Sequence, residues 1–373
     1  MINSMNRPFS LAFFGSSPNS VTVLKALLDA RFPVKLVITA PPRPVGRRQI
    51  LTKTPPHTFA KEHFIPVITP APLRETPIKV LNLPQLDVAI VADYAQLIPK
   101  ELLDYPKHGC LNLHPSLLPK FRGASPGEFA ILTGEKETGM TIIRMDEQFD
   151  HGPIIAQFKE EIRADDTSKT LYQRLFSKGG EVLITILRSW VEGKITPRAQ
   201  DHLRATYAPR LTRDDGFVPW KLIQQAMAGK LFAPNRLNQR LKEVFQQSEV
   251  DKFSPAATAR PKAWQTQQKR KAIQDNPSAA KKISVGRADF LERAVRAFSP
   301  WPGIWTKVKV KSQKLKVKSE EKRMKILTAH LYPKPYTPAP PAGRLNPILI
   351  LDQVQLEGKN PTSFSNIQNI LSL

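Results

Sequence analysis

A single cysteine, Cys110, in 373 residues excludes a disulfide within the chain and any cysteine-based metal site. It lies in an apolar stretch, GCLNL, which suits a small buried side chain better than a nucleophile. No apolar run is long enough to cross a bilayer. The opening residues, MINSMNRPFS, have neither the apolar core of a secretion signal nor the Arg-rich pattern of an organellar presequence. A cytoplasmic protein of bacterial type, off the membrane, is expected, with an organellar setting left open. The turn after the first strand, GSSPNS, is not G-x-G-x-x-G, so nothing argues for a dinucleotide.

Acid is the other shortage. Against 56 Lys and Arg stand 32 Asp and Glu, a formal net charge of +24 and a pI near 10.1. Such a surplus points to a polyanionic partner. Nucleic acid is the better candidate, because no amphipathic membrane helix stands out. The surplus gathers late in the chain, around Lys262–Lys282 and Lys307–Lys325. The length allows two domains with separate cores.

Taken in order, the chain reads as strand, turn, helix, strand. Residues 10–14 form a buried strand, and Val21–Ala30 a helix with Val21, Leu24, Leu27 and Leu28 at helical spacing and Ser20 as N-cap. Val34–Thr39 is the next strand. This is how a doubly wound, Rossmann-like, mainly parallel sheet begins. The following stretch, APPRPVGRRQILTKTPP, has no period that builds a helix or strand, and reads as a basic loop at the carboxyl end of a strand. Residues 57–64 form a short helix, Ile65–Ile68 a strand, and Leu86–Ala92 a central strand. Two strands joined by a turn fill 138–157, and Thr170–Leu187 is a helix closing the domain. Further on, WTKVKVKSQKLKVKS alternates like a half-exposed strand pair, with lysines 307, 309, 311, 314, 316 and 318 along one face.

The stretch GCLNLHPSLLPKFRGASP, residues 109–126, holds the densest chemistry. A strand over Cys110–Leu113 breaks at prolines and sets Asn112 and His114 two residues apart, hence on one face. An amide and an imidazole side by side can donate hydrogen bonds to an oxygen that becomes negative. An isolated N-x-H, however, is more often a polar strand end. Asp150, in FDHG, is by composition an ordinary turn residue.

The run N-x-H-P-S-L-L-P followed by F-R-G-A-S-P resembles the signature of the 10-formyltetrahydrofolate-dependent formyltransferases. In the form SLLPKFRGASP it is most similar to the methionyl-tRNA formyltransferases. The resemblance extends to ATYAPRLTRDDGFVPW, RAFSPWPG and VQLEGKNPTSFSNI, and departs at GSSPNS and at Ala95, where the family has glycine. It implies the formyltransferase fold followed by a small OB-like C-terminal β-barrel. It implies a catalytic set of Asn112, His114 and Asp150, a folate site lined by Ser116, Leu117, Leu118 and Pro119, and no metal. It also makes the loop bearing Arg43, Arg47, Arg48 and Lys53 a contact for the tRNA acceptor end, with Lys307, Lys309 and Lys311 on RNA backbone. The implied reaction moves a formyl group from 10-formyltetrahydrofolate to the α-amino group of methionine on initiator tRNA, carried out by a monomer.

Domains are then expected at 1–204 (catalytic), 205–227 (linker), 228–287 (a basic, disordered insertion, with 237–250 able to form a helix) and 288–373 (barrel). Two rivals remain: a formyl-folate enzyme acting on a small amine or hydrolysing the donor, and a non-catalytic RNA-binding protein on the same fold. The basic loop and the C-terminal domain argue against the first, and intact Asn112, His114 and Asp150 against the second.

Overall fold

The computed structural model describes residues 9–46, 48–94, 96–230, 232, 237–244, 288–311, 319–332, 348–368 and 371. The chain divides into two compact units. One comprises Met1–Gly123, Glu137–Glu161 and Leu171–Tyr207, the other Ala124–Lys136, Ile162–Thr170 and Ala208–Leu373. The expected border after residue 204 thus falls close to Tyr207, but two short segments of the expected catalytic domain belong to the second unit.

The first unit is built on a seven-stranded sheet. Its parallel part comprises β1 (Leu11–Gly15), β2 (Val34–Ile38), β5 (Val67–Ile68), β6 (Val88–Ala92) and β7 (Cys110–His114). The antiparallel strands β8 (Glu137–Arg144) and β9 (Ile154–Glu161) complete it, in the order β5-β2-β1-β6-β7-β8-β9. On one face Ala12, Phe14, Leu36, Ile38, Ala89 and Val91 form a core with the segments around Leu73 and Leu102. The alternate residues Phe13, Val37 and Ile90 are also fully buried, so both faces are covered. Burial on both sides is what the continuous apolar runs of these strands demand.

Gly15 and Ala92 end neighbouring parallel strands at one level, and Leu113, one residue before the end of β7, lies beside them, through the registers Gly15↔Ala92 and Ala92↔Leu113. The same edge receives helix α1, which spans Pro18–Asp29 and starts earlier than its apolar spacing suggests. Its N-cap is Ser17. Ser20 is the third helical residue of a capping box, with its hydroxyl buried. That hydroxyl accepts from the Ser16 and Ser17 N–H groups, both at 3.1 Å, and donates to the Ala92 carbonyl at 2.7 Å. A Cβ at Gly15 would collide with Ser20, so the close approach requires glycine.

The basic loop is more regular than its sequence suggests. It contains a two-stranded antiparallel hairpin, β3 (Arg43–Val45) with β4 (Ile50–Thr52). Three-residue strands holding a proline leave no period to read. The turn that makes them possible uses Gly46 and Gln49, both at positive φ. Thr39 and Thr54 clamp its base with a 2.6 Å hydroxyl pair, and Thr54 caps helix α2 (Pro55–Glu62). The short helix α3 (Lys100–Leu103) follows β6, and the helix expected to close the domain is α5 (Ser168–Val191), longer at both ends than its apolar pattern.

The second unit includes α4 (Pro126–Thr133), α6 (Trp220–Met227), α7 (Ala288–Ala297) and a four-stranded antiparallel sheet, β10 (Ile304–Lys311), β11 (Ser319–Tyr332), β12 (Ile348–Leu356) and β13 (Thr362–Ser363). A bridge from Val310 to Leu371 adds pairing at the outer edge of β10, in keeping with a small barrel. The partner of β10 begins at Ser319, beyond the lysine run expected to supply it, and Lys314, Lys316 and Lys318 lie outside the described residues. Part of the expected insertion is packed rather than solvated. Leu237, Leu241 and Val244 are buried at helical spacing. Asn238 accepts from the Leu241 N–H and donates to the carbonyls of Asp215 and Phe217. Phe232 is buried as well, against the disorder expected for this stretch, and the disorder expected for 245–287 concerns residues outside the described set.

Candidate active site

β7 carries Asn112 and His114 to the shared strand edge, alongside the end of β6. The antiparallel neighbour β8 sets Ile143 opposite Asn112 and Thr141 opposite His114. His114 is 4% exposed. Its Nε2 lies 2.9 Å from the Phe121 carbonyl, which can only accept, so Nε2 bears a proton. Its Nδ1 lies 3.4 Å from Asp150 Oδ1, and Asn112 Nδ2 donates to the same oxygen at 3.4 Å. The three expected side chains therefore converge on one carboxylate oxygen, brought from 38 residues apart in sequence.

Asp150 reaches them from the β8–β9 turn with its backbone at φ 49°. A left-handed residue costs about 1 kcal/mol. Against that, the Gly123 N–H donates to Asp150 Oδ2 at 2.7 Å, a charge-assisted bond worth about 1.5–3 kcal/mol, which is enough to hold the turn. Gln200 Nε2 donates to the Asp150 carbonyl at 2.9 Å and to the Gly152 carbonyl at 2.7 Å. A Cβ at Gly152 would run into the Arg144 carbonyl oxygen, so the turn demands glycine there.

The loop after His114 is pinned on two sides. Thr141 Oγ1 donates to the Ser116 carbonyl and accepts from the Leu118 N–H, while Gln157 Nε2 donates to the Leu118 carbonyl. From the other side, the Phe121 N–H donates to Thr206 Oγ1 and the Arg122 N–H to the Thr206 carbonyl, both at 2.8 Å. Ser116 and Leu118 are buried, the Ser116 hydroxyl donating to the Lys120 carbonyl at 2.7 Å. They shape this loop from within, and of the four expected folate-lining residues only Leu117 and Pro119 keep partly exposed surface.

Arg43, Arg48 and Lys53 are exposed on or beside the β3–β4 hairpin, which follows the carboxyl end of β2, and Arg47 lies outside the described residues. Lys307 and Lys309 are exposed on β10, and Lys311 is paired there with Ser319. Lys307 Nζ lies 3.1 Å from Glu321, but an exposed pair is worth about 0–1 kcal/mol, so the cation remains open to an external anion. Arg323 covers the Trp305 ring at 4.7 Å on the same pair of strands.

Sequence reasoning gave no role to Arg122, Gln200 or His202. Arg122 is 3% exposed and Gln200 is 6% exposed. A lone Arg in F-R-G and a lone Gln beyond a long helix carry no pattern that announces burial. Among the described residues no group of three or more His, Cys, Asp or Glu is placed to hold a metal, and no helix is long and apolar enough to cross a membrane. A cavity of about 340 Å³ lies between Leu73–Leu81 and Pro99–Leu102, and none of Asn112, His114 or Asp150 lines it. The chemistry and this hollow are thus at different places, and the convergence of donors marks the site.

A family profile described as "Formyl transferase" matches residues 10–187. Methionyl-tRNA formyltransferase of Roseiflexus sp. (strain RS-1) is 43% identical over 216 residues, which cover 57% of this chain and 66% of that protein. Methionyl-tRNA formyltransferase of Hydrogenovibrio crunogenus is 38% identical over 232 residues, covering 62% of this chain and 74% of the relative. That of Bacillus subtilis (strain 168) is 40% identical over 212 residues, covering 56% and 67% respectively. Among solved structures, a phosphoribosylglycinamide formyltransferase from Bacillus halodurans aligns with TM-score 0.42 and 28% identity over 50% of this chain and 96% of its own.

Proposed function

Because this chain belongs to the methionyl-tRNA formyltransferase family, we propose that it moves a formyl group from 10-formyltetrahydrofolate to the α-amino group of methionine esterified to initiator tRNA. The observation that carries this reading is the meeting of Asn112 and His114 at Asp150 Oδ1. The amine nitrogen attacks the formyl carbon, giving a tetrahedral intermediate with negative charge on oxygen. That intermediate collapses as the bond to N10 of the folate breaks, and the proton lost by the amine ends on N10.

Asn112 Nδ2 is an uncharged donor that suits the developing oxyanion. His114 stands beside it, with Nε2 donating to the Phe121 carbonyl and Nδ1 3.4 Å from Asp150 Oδ1. Asp150 sets both donors and can accept the amine proton through a water. Leu117 and Pro119 give the folate its apolar contact at the loop. The hairpin cations suit the tRNA acceptor end, and the β10 lysines suit its phosphates.

The test is a comparison of formyl acceptors at fixed donor concentration: methionyl initiator tRNA, methionyl elongator tRNA, glycinamide ribonucleotide and an amino sugar nucleotide. The reading expects transfer to the initiator tRNA to exceed the others by at least a hundredfold in kcat/KM. Preference for either small amine would replace it.

A further inference from the structure

Three residues outside the catalytic set close a ring around Asp150. Gln200 spans the turn, its amide donating to the carbonyls of Asp150 and Gly152. Its Oε1 accepts from Arg122 Nη2 at 2.7 Å. Arg122 is followed by Gly123, whose N–H grips the Asp150 carboxylate at 2.7 Å. Side chain and main chain of one loop thus hold both ends of Asp150. Arg122 Nη2 also lies 2.8 Å from His202 Nδ1. A guanidinium only donates, so this bond requires an unprotonated Nδ1. His202 stacks on His151, centroids 4.0 Å apart and planes 3° from parallel, and His151 Nδ1 lies 2.6 Å from Asp146.

Building on the formyl-transfer reading, we propose that Gln200 and Arg122 are positioning residues that set Asp150 against Asn112 and His114, and that unprotonated His202 holds Arg122 in place. Asn112 donates to Asp150 at 3.4 Å, already at the outer limit of a hydrogen bond, and His114 Nδ1 stands at the same distance, so a small shift of the turn uncouples them. Arg122 Nε has no hydrogen-bond partner among the described residues, so its guanidinium is held through Nη2.

Four charged or titratable groups face His202: Arg122 from the loop after β7, His151 and Asp146 from the β8–β9 turn, and Asp201 beside it. Loss of water from the ring, then His151 and Arg122, hold its pKa below the ordinary 6.5, against the opposing pull of Asp146 and Asp201. At neutral pH His202 can therefore accept. Acid removes that acceptor.

The experiment measures kcat against pH for the parent, Gln200→Ala, Gln200→Glu and His202→Gln in the full chain. Gln200→Ala should lower kcat at least tenfold with KM for both substrates within about twofold. Gln200→Glu keeps the acceptor for Arg122 but presents a carboxylate to two carbonyls. Its activity should recover as pH falls and the carboxyl regains a donor proton, opposite to the parent. His202→Gln, at an exposed position, should fold normally and remove an acid step seen in the parent below pH about 6.5. Parent activity with Gln200→Ala within twofold of it would overturn the proposal and leave the formyl-transfer reading intact. Should the parent itself not formylate tRNA, that reading fails separately. The proposal then rests on the His114 ring ¹⁵N shifts without substrate, which should move in Gln200→Ala, and unchanged shifts would overturn it.

Discussion

Asp150 is held by Asn112, His114 and Gly123 at its carboxylate and by Gln200 at its carbonyl. On the proposed mechanism, Asn112→Ala and His114→Ala each weaken stabilisation of the oxyanion, which typically costs about a hundredfold or more in turnover. Folate and tRNA affinities should stay nearly unchanged, and either variant turning over within about threefold of the parent would remove that residue from the set. Gly152→Ala is expected to act on stability instead, because the added Cβ meets backbone that cannot yield. A loss of about 2 kcal/mol or more in urea unfolding is the expected result. Cys110, by contrast, is inert. Burial, helped by Asp104 and opposed by Arg144, pushes its thiol up to about 12, so iodoacetamide at pH 8 should label it only after denaturation.

At the scale of elements, β7 was legible because its apolar run and its i, i+2 polar pair both survive as a strand with one working face. The convergence of Asp150 on that pair was legible only through a family signature, since nothing local links residues 38 apart. The hairpin at 43–52 was not legible. Its strands are three residues long and fully exposed, so no buried alternation marks them. Nor was the support from Gln200, which depends on how a distant segment packs. The hairpin and β10 are predicted to divide tRNA recognition. Replacing Arg43 and Arg48 by Gln should narrow the kcat/KM ratio between charged initiator and elongator tRNA at fixed salt. An unmoved ratio, with both activities reduced alike, would make the hairpin a general anchor. Replacing Lys307 and Lys309 by Gln should weaken both tRNAs equally. The slope of log affinity against log salt should fall by about 0.7–0.9 for each phosphate left without its lysine.

Across the whole molecule, His57, His108 and His202 each have a pKa below the ordinary 6.5, with loss of water as the first cause in all three. A folded chain with lowered histidines binds fewer protons than the unfolded chain as pH drops below 6.5. The stability they contribute is therefore present above that value and lost as pH falls through the folded-state values. Glu160, held below its ordinary value by Lys178 and Arg174 although its burial pulls the other way, continues the loss at lower pH. The urea midpoint should be higher at pH 7.5 than at pH 5.5, and equal midpoints would contradict the assignment. The central claim is that one carboxylate, Asp150, organises the two donors that make formyl transfer to methionyl-tRNA possible. Single-turnover formylation by Asp150→Asn, with both substrates saturating, tests it most directly. The account predicts a rate at least about a hundredfold below the parent with both substrates still bound. A rate within threefold of the parent would contradict it.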